Sequence, residues 1–265
     1  MLKVSFIGAG NVAFRTAIAM CEADISVDYI YNRNAVKGAK LASVLQKNGS
    51  DAHYTDSLSN LLTSDLIIIA VSDDAIIEVV EKLRICLNEN PQANPVVAHT
   101  SGATDMAEIA MRCDYGVFYP LMSLNRNKEI DYSKVPLFLE GSSKRAEKLL
   151  EQTAQELKSE YLICDSQKRL QMHTAAVFAT NFVNVMLSYA KDISQKEFTL
   201  LLPATIEMVR KSFLIDPDPV LTGPAKRGDT KTLEKHIALL EAMGLNEQKE
   251  IYELITKNII NKHKK

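Results

Sequence analysis

Lys3 to Met20 read KVSFIGAGNVAFRTAIAM. A strand-like run, Lys3–Ile7, enters Gly8-Ala9-Gly10-Asn11-Val12-Ala13 directly, and an amphipathic helical pattern follows. Each small residue has a steric reason in such a corner. Gly8 permits the tight turn, Gly10 lets backbone approach a pyrophosphate, and Ala13 lets the helix pack against the sheet. The amides around Asn11 and Val12 then face the phosphates with the positive helix end behind them. A GxGxxA pattern alone is weak; its place between a strand and a helix supplies the confirming context. A glycine turn that binds nothing is the competing reading.

Working outward, short apolar runs alternate with helical patterns up to about residue 164. Strands are predicted at Lys3–Ile7, Ser26–Tyr31, Leu66–Val71, Pro95–His99, Gly116–Tyr119, Pro136–Leu139 and Tyr161–Ile163. Helices are predicted at Asn11–Ala23, Ala35–Lys47, Ser57–Leu62, Asp74–Leu87, Asp105–Arg112 and Ser143–Lys158. LIIIAV and PVVAH are apolar without alternation, as in strands buried on both faces. This order implies an α/β fold with a doubly wound, mostly parallel Rossmann sheet.

Beyond Asp165 no strand pattern follows, and helices are predicted at Gln167–Asp192, Gln195–Phe213, Thr230–Met243 and Asn246–Asn261. We therefore expect a nucleotide-binding domain over residues 1–165 and an all-α domain over 166–265. The loop IDPDPVLTGPAKRGD holds three of the chain's eight prolines, which accounts for the break in the helical pattern.

Bulk properties narrow the function classes. With 265 residues the chain can bury a sizeable core, and 46% apolar with 24% charged residues is the profile of a soluble globular protein. A net charge of −2 gives no support for nucleic-acid or anionic-membrane binding. The basic end Lys262–Lys265 reads as a solvated terminus. Four widely spaced cysteines offer neither metal-ligand spacing nor a disulfide framework, so no metal site is expected. The absence of a charged-then-apolar leader suggests a cytoplasmic protein. Leu170–Ala190 has no charged side chain, but its many polar groups argue for a buried helix rather than a membrane span.

The second strand ends Tyr31-Asn32-Arg33-Asn34, without the acid that normally accepts the ribose 2′-OH of NAD. Arg33 offers a planar fork suited to a 2′-phosphate, so NADP is favoured over NAD. The alternative is an exposed arginine at a strand end. Val71 and Ser72 would lie along the cofactor, and Asp73 would cap the next helix. His99-Thr100-Ser101-Gly102 follows a buried strand, so His99 and Ser101 would border the nicotinamide or orient a substrate. A locally bonded turn is the competing reading.

On an unbroken helix with His173 at zero, Thr180 falls at about −20°, Asn184 at about +20° and Asn181 at about +80°. That neutral polar stripe would face a cleft or a polar interior. His173 is its one group titrating near neutrality and is the candidate general acid, with a satisfied structural histidine as the alternative. Asn181 would orient the substrate. The loop Leu221–Asp229 would present Arg227 to a carboxylate or phosphate, with Asp229 capping the next helix; an interdomain turn is the other reading.

Through GAGNVA at 8–13, HTSG at 99–102, HTAAVFATN at 173–181 and LTGPAKRGD with His236, the chain resembles a family of bacterial Rossmann-like NADP oxidoreductases. Their C-terminal half is a domain of unknown function. That family is similar to pyrroline-5-carboxylate reductase, deazaflavin-dependent NADP reductase, ketopantoate reductase and the 6-phosphogluconate dehydrogenase group. The resemblance implies an interdomain cleft and a homodimer built through the helical halves. The Lys and Asn of the hydroxyacid dehydrogenases, one helical turn apart, have no match. His173 and Asn181 lie eight residues, roughly 12 Å of helical rise, apart. The expected activity is hydride transfer to or from a small, anionic carbonyl or imine. An NADP(H)-binding sensor without turnover, and a fold kept for interaction alone, are the alternatives.

Overall fold

The computed structural model describes residues 1–263. The chain divides into two compact units, Met1–Val177 and the segment from Phe178 onward.

The first unit is built on eight strands: β1 Lys3–Ile7, β2 Ser26–Tyr31, β3 His53–Thr55, β4 Leu66–Ile69, β5 Val96–His99, β6 Tyr115–Pro120, β7 Leu137–Gly141 and β8 Tyr161–Ile163. They form one sheet in the order β3-β2-β1-β4-β5-β6-β7-β8. Every pairing is parallel except β6 with β7. The order reverses direction between β1 and β4, and ligands of open α/β sheets settle outside the strand ends at such a point.

The continuous apolar runs are explained by burial on both faces. In β4, Leu66 and Ile68 join the core layer that also holds Phe6, Val27 and Leu150. Ile67 and Ile69 join the opposite layer with Val80 and Leu83. Helices α1 Asn11–Glu22, α2 Ala35–Lys47, α3 Asp73–Glu89 and α4 Lys144–Glu156 cover the sheet, and α5 Ser166–Ala176 follows β8. Three of them start on a side-chain cap. Asn34 accepts from Lys37 N, Ser143 from Ala146 N and Asp165 from Lys168 N.

Several expectations need correction. The helices expected at Ser57–Leu62 and Asp105–Arg112 are 3₁₀ turns, Leu58–Thr63 and Met106–Ile109. The β3 sequence, His-Tyr-Thr, lacks the apolar run that announces a strand. Asp73 does not cap α3. It is the first helical residue, behind Ser72, and with Asp74 it places negative charge in the first turn, where the helix dipole favours it. The single helix expected over Gln167–Asp192 is interrupted by a π-helical turn, Val177–Phe182. Nor is Leu170–Ala190 buried: no residue of that stretch is fully covered in the single chain.

From Phe178 onward the chain is helical: α6 Val183–Ser194, a 3₁₀ stretch Gln195–Leu201, α7 Leu202–Leu214, α8 Pro217–Val220, α9 Pro224–Arg227, α10 Thr230–Ala242 and α11 Asn246–His263. Pro217 and Pro224 each occupy a first helical position, which suits their fixed φ. Among its described residues only two hydrophobic side chains are buried, Leu233 and Leu240. Phe213 is 82% exposed and Leu200 75%. No helix among the described residues is long and apolar enough to cross a membrane.

Candidate cofactor and active site

Gly8 adopts φ +115°, and a Cβ on it would lie 2.3 Å from Ala70 O. Both its conformation and the nearness of the β4 end therefore require glycine. Its N–H donates to Tyr31 O at 2.8 Å, closing β1 against β2. Ala13 is fully buried, so its small side chain lets α1 sit close to the sheet. Gly10 stands at the N-cap of α1, which has no side-chain cap and no acid in its first turn. A Cβ on Gly10 would meet nothing closer than 3.9 Å, and the residue borders open space.

That space is a cleft of about 450 Å³. Gly8, Gly10, Asn11 and Val12 line it from the turn, Asn32 and Arg33 from the end of β2, and Val71 and Ser72 from the end of β4. The structure thus brings together eight of the ten residues expected to hold a cofactor. Ala13 packs beneath the turn. The exception, His99, does not line the cleft and has no exposed surface.

At the β2 side, Arg33 is a well-exposed cation 3.6 Å from Glu78 Oε2. Glu78 Oε1 also accepts from Lys82 Nζ at 2.6 Å. The Lys82 bond, then the charges of Lys82 and Arg33, hold the Glu78 carboxyl below the usual range. Lys37 lines the same end. Arg33 and Lys82 thus flank the Glu78 carboxylate, and with Lys37 they place three cations at this end of the cleft, the charge and geometry that suit a phosphate.

His99 Nδ1 accepts from Ser101 N at 3.1 Å. Burial, aided by the charge of Arg169, pushes its pKa down to about 3, so the ring is neutral. Ser101 Oγ accepts from the amides of Ala103 and Thr104 at 3.1 and 3.0 Å. The Ser101 hydroxyl and His99 Nδ1 are thus spent on the shape of the turn, while His99 Nε2 is buried without a hydrogen-bond partner among the described residues. Beneath it Arg169 of α5, 1% exposed, donates to Glu140 of β7 and to Thr104 O. Ser166 Oγ donates to Glu140 at 2.8 Å and accepts from Met106 N at 3.0 Å. This buried network locks α5 to the sheet and to the turn.

The consequence is the placement of His173. The Tyr119 hydroxyl, from the carboxyl end of β6, lies 2.8 Å from His173 Nδ1, and the two rings meet edge to face at 5.7 Å. Gly102 makes room for them. A Cβ there would lie 2.6 Å from His173 Nδ1 and 2.8 Å from Tyr119 Cζ. Burial first, then the negative charge of Asp73, pushes the Tyr119 phenol up to about 12. The pair sits at the same edge of the sheet as the glycine turn, because β1, β4, β5 and β6 all run parallel.

Asn181 and Arg227 belong to the second unit. Asn181 is exposed and accepts from Thr180 Oγ1 at 2.9 Å. Arg227 does not stand alone at its loop tip: its Nε and one terminal nitrogen reach Asp229 at 2.9 and 2.8 Å. Asp229 therefore holds Arg227 and makes no side-chain cap on α10, contrary to expectation. His236 Nδ1 lies 2.8 Å from Tyr252 Oη.

Sequence reasoning overlooked Tyr119, Glu78, Lys82 and Arg126. The rule that singled out His99, a polar residue at the carboxyl end of a buried strand, applies equally to Tyr119. Glu78 and Lys82 read only as an i,i+4 pair on an exposed helix face. Nothing local marks Arg126, which reaches the cleft from a loop more than a hundred residues downstream of the turn.

Comparison with known proteins bears on the fold. Residues 1–98 match the family model for shikimate / quinate 5-dehydrogenase, and residues 135–259 match a domain of unknown function, DUF2520. No match is found among curated proteins. A Bacteroides fragilis protein proposed to be an NADP oxidoreductase shares 29% identity over 98% of both chains, with a TM-score of 0.84. The fold is shared with a reductive aminase from Aspergillus terreus, solved with NADPH and ethyl-5-oxohexanoate. That pair has 17% identity over 97% of this chain and 94% of the other, TM-score 0.70. It is shared also with an imine reductase variant from Myxococcus stipitatus, solved with NAD+. Here identity is 16% over 99% and 95%, TM-score 0.65. The expected C-terminal domain of unknown function is thereby borne out, as is the Rossmann fold.

Proposed function

We propose that this chain, a Rossmann domain of the shikimate/quinate dehydrogenase type joined to a DUF2520 domain, is an NADP-dependent oxidoreductase acting on a small carbonyl or imine compound. The observation that carries the reading is the Tyr119–His173 pair, set at the same sheet edge as a glycine-turn cleft with cations at its β2 end. The 29%-identical Bacteroides protein supports NADP as the cofactor.

The residues present fit a dinucleotide. The α1 amides and Gly10 would hold the pyrophosphate, and Arg33, Lys37 and Lys82 the 2′-phosphate. The nicotinamide, when bound, supplies or accepts the hydride. The chain's own part is the proton. As imidazolium His173 carries a proton on each nitrogen: Nδ1–H donates to the Tyr119 oxygen 2.8 Å away, which leaves Nε2–H free to be given up. His173 passes the Nε2 proton to the substrate oxygen or nitrogen as hydride arrives and is left neutral, with its remaining proton held on Nδ1 by Tyr119.

The second unit's exposed apolar side chains support a homodimer as part of the same proposal, since patches of this kind are rarely left to water.

The test is a metabolite screen that follows absorbance of the reduced nicotinamide, with α-keto acids and cyclic imines as first probes. The expected result is NADPH oxidation by at least one compound, abolished by His173→Ala. Tight NADPH binding with no turnover across both classes contradicts the enzymatic reading and favours a sensor.

A further inference from the structure

We infer that Arg126 is a pyrophosphate ligand, delivered to the cleft by a strap that Arg15 latches onto α1. The inference rests on the dinucleotide reading above and extends it to a residue from the far half of the sheet.

The strap is the β6–β7 connection, residues 121–136. Such a long loop should be mobile unless tied down, and here it is tied at three places. Leu124 is buried in the core layer that contains α1. Tyr132, also buried, bonds Thr16 Oγ1 through its hydroxyl at 2.8 Å. Between them Arg15, 8% exposed, donates through Nε to Asn125 O and through a terminal nitrogen to Arg126 O, both at 2.9 Å. Two charge-assisted bonds to consecutive carbonyls fix the backbone on either side of the Arg126 Cα.

So held, Arg126 turns back over the glycine corner. Its Nε donates to Asn11 Oδ1 at 3.1 Å, and the residue lines the cleft. Asn11 is the first residue of α1, beside the amides that would face a pyrophosphate. A guanidinium has five donors in a planar fork, and the Asn11 bond occupies one. The remaining edge lies where two negative phosphates would need a counter-charge. Arg33 and Lys82 stand at the other end, by β2 and α3, so the chain has separate cations for the two phosphate positions. Arg15 never touches the ligand and acts as a positioning residue.

Calorimetric titration of the full chain with NADPH and with NADH tests this. Arg126→Ala is expected to weaken both nucleotides by about tenfold while leaving their ratio unchanged, because both carry the pyrophosphate. Arg33→Ala is expected to lower the ratio. Arg15→Met should weaken both nucleotides too, and Arg15→Met/Arg126→Ala should be no worse than Arg126→Ala alone, since the latch acts through the ligand residue. An Arg126→Ala chain that melts earlier yet binds both nucleotides as tightly as the unmodified chain overturns the assignment, leaving the strap a structural tie. Loss confined to NADPH overturns it also, moving Arg126 to the 2′-phosphate. Failure of the unmodified chain to bind either nucleotide sinks the dinucleotide reading itself, and this inference with it.

Discussion

Tyr119 Oη and His173 Nδ1 stand 2.8 Å apart although their residues are separated by 54 positions. One comes from the end of a central strand, the other from a helix fastened to that sheet by a buried Arg169–Glu140 pair. If the pair moves a proton, Tyr119→Phe and His173→Ala should each lower kcat by about 10²-fold or more, the usual yield of a positioned acid. NADPH affinity should hardly change, and the double variant should be no slower than His173→Ala, because the two groups act as a unit. Steady-state kinetics with nucleotide titration checks all three.

Gly102→Ala tests the geometry without removing a functional group. The added Cβ would sit 2.6 Å from His173 Nδ1, closer than real contacts permit, so the ring must move. Overpacking of this kind costs about 1–3 kcal/mol in urea unfolding, and activity should fall together with stability. Ser101→Ala is the comparison: it removes bonds to two amides, costs about 1 kcal/mol and should leave the His173 ring where it is.

Glu78 should work against the preferred cofactor. It shares the cations that a 2′-phosphate would use, and it is ionised at neutral pH. Glu78→Gln is expected to tighten NADPH roughly twofold to fivefold, the scale of exposed ion pairs, with NADH little altered. Arg33→Ala should shift preference toward NADH. Dissociation constants for both nucleotides, at two salt concentrations, decide it.

His99 predicts an acid limb in stability. Its folded pKa, about 3, lies below the ordinary 6.5, so between those values the unfolded chain binds the extra proton. Stability is therefore full above about pH 6.5 and falls as pH drops toward 3, by at most about 1.4 kcal/mol per pH unit from this group. Chemical unfolding at pH 7, 6 and 5 should show the decline, and His99→Gln should flatten it. An equal slope in both chains contradicts the assignment.

The first half of the fold was legible because its physics is local. Apolar runs such as Leu66–Ile69 announced buried strands, and Gly8 and Gly10 announced the turn. What escaped depended on pairing or on departures from regular geometry. Strand β3 is three residues whose only credential is its place beside β2. The polar stripe assumed about 100° per residue, but the π-helical turn Val177–Phe182 bonds to the fifth residue, not the fourth, and alters the phase after His173. His99 and Ser101 sat where a ligand residue was expected, yet their side chains satisfy the turn; Tyr119, one strand over, carries the contact with His173. Arg126 needed the tertiary structure, because the strap that delivers it has no signature in its own residues.

Thermal unfolding with and without nucleotide tests the central claim most directly. At NADPH about 100 times its dissociation constant the chain should gain about 2.7 kcal/mol of stability, with NADH giving less at the same concentration. No stabilisation by either nucleotide at millimolar concentration would contradict the account, since the corner after β1 would then hold no phosphate.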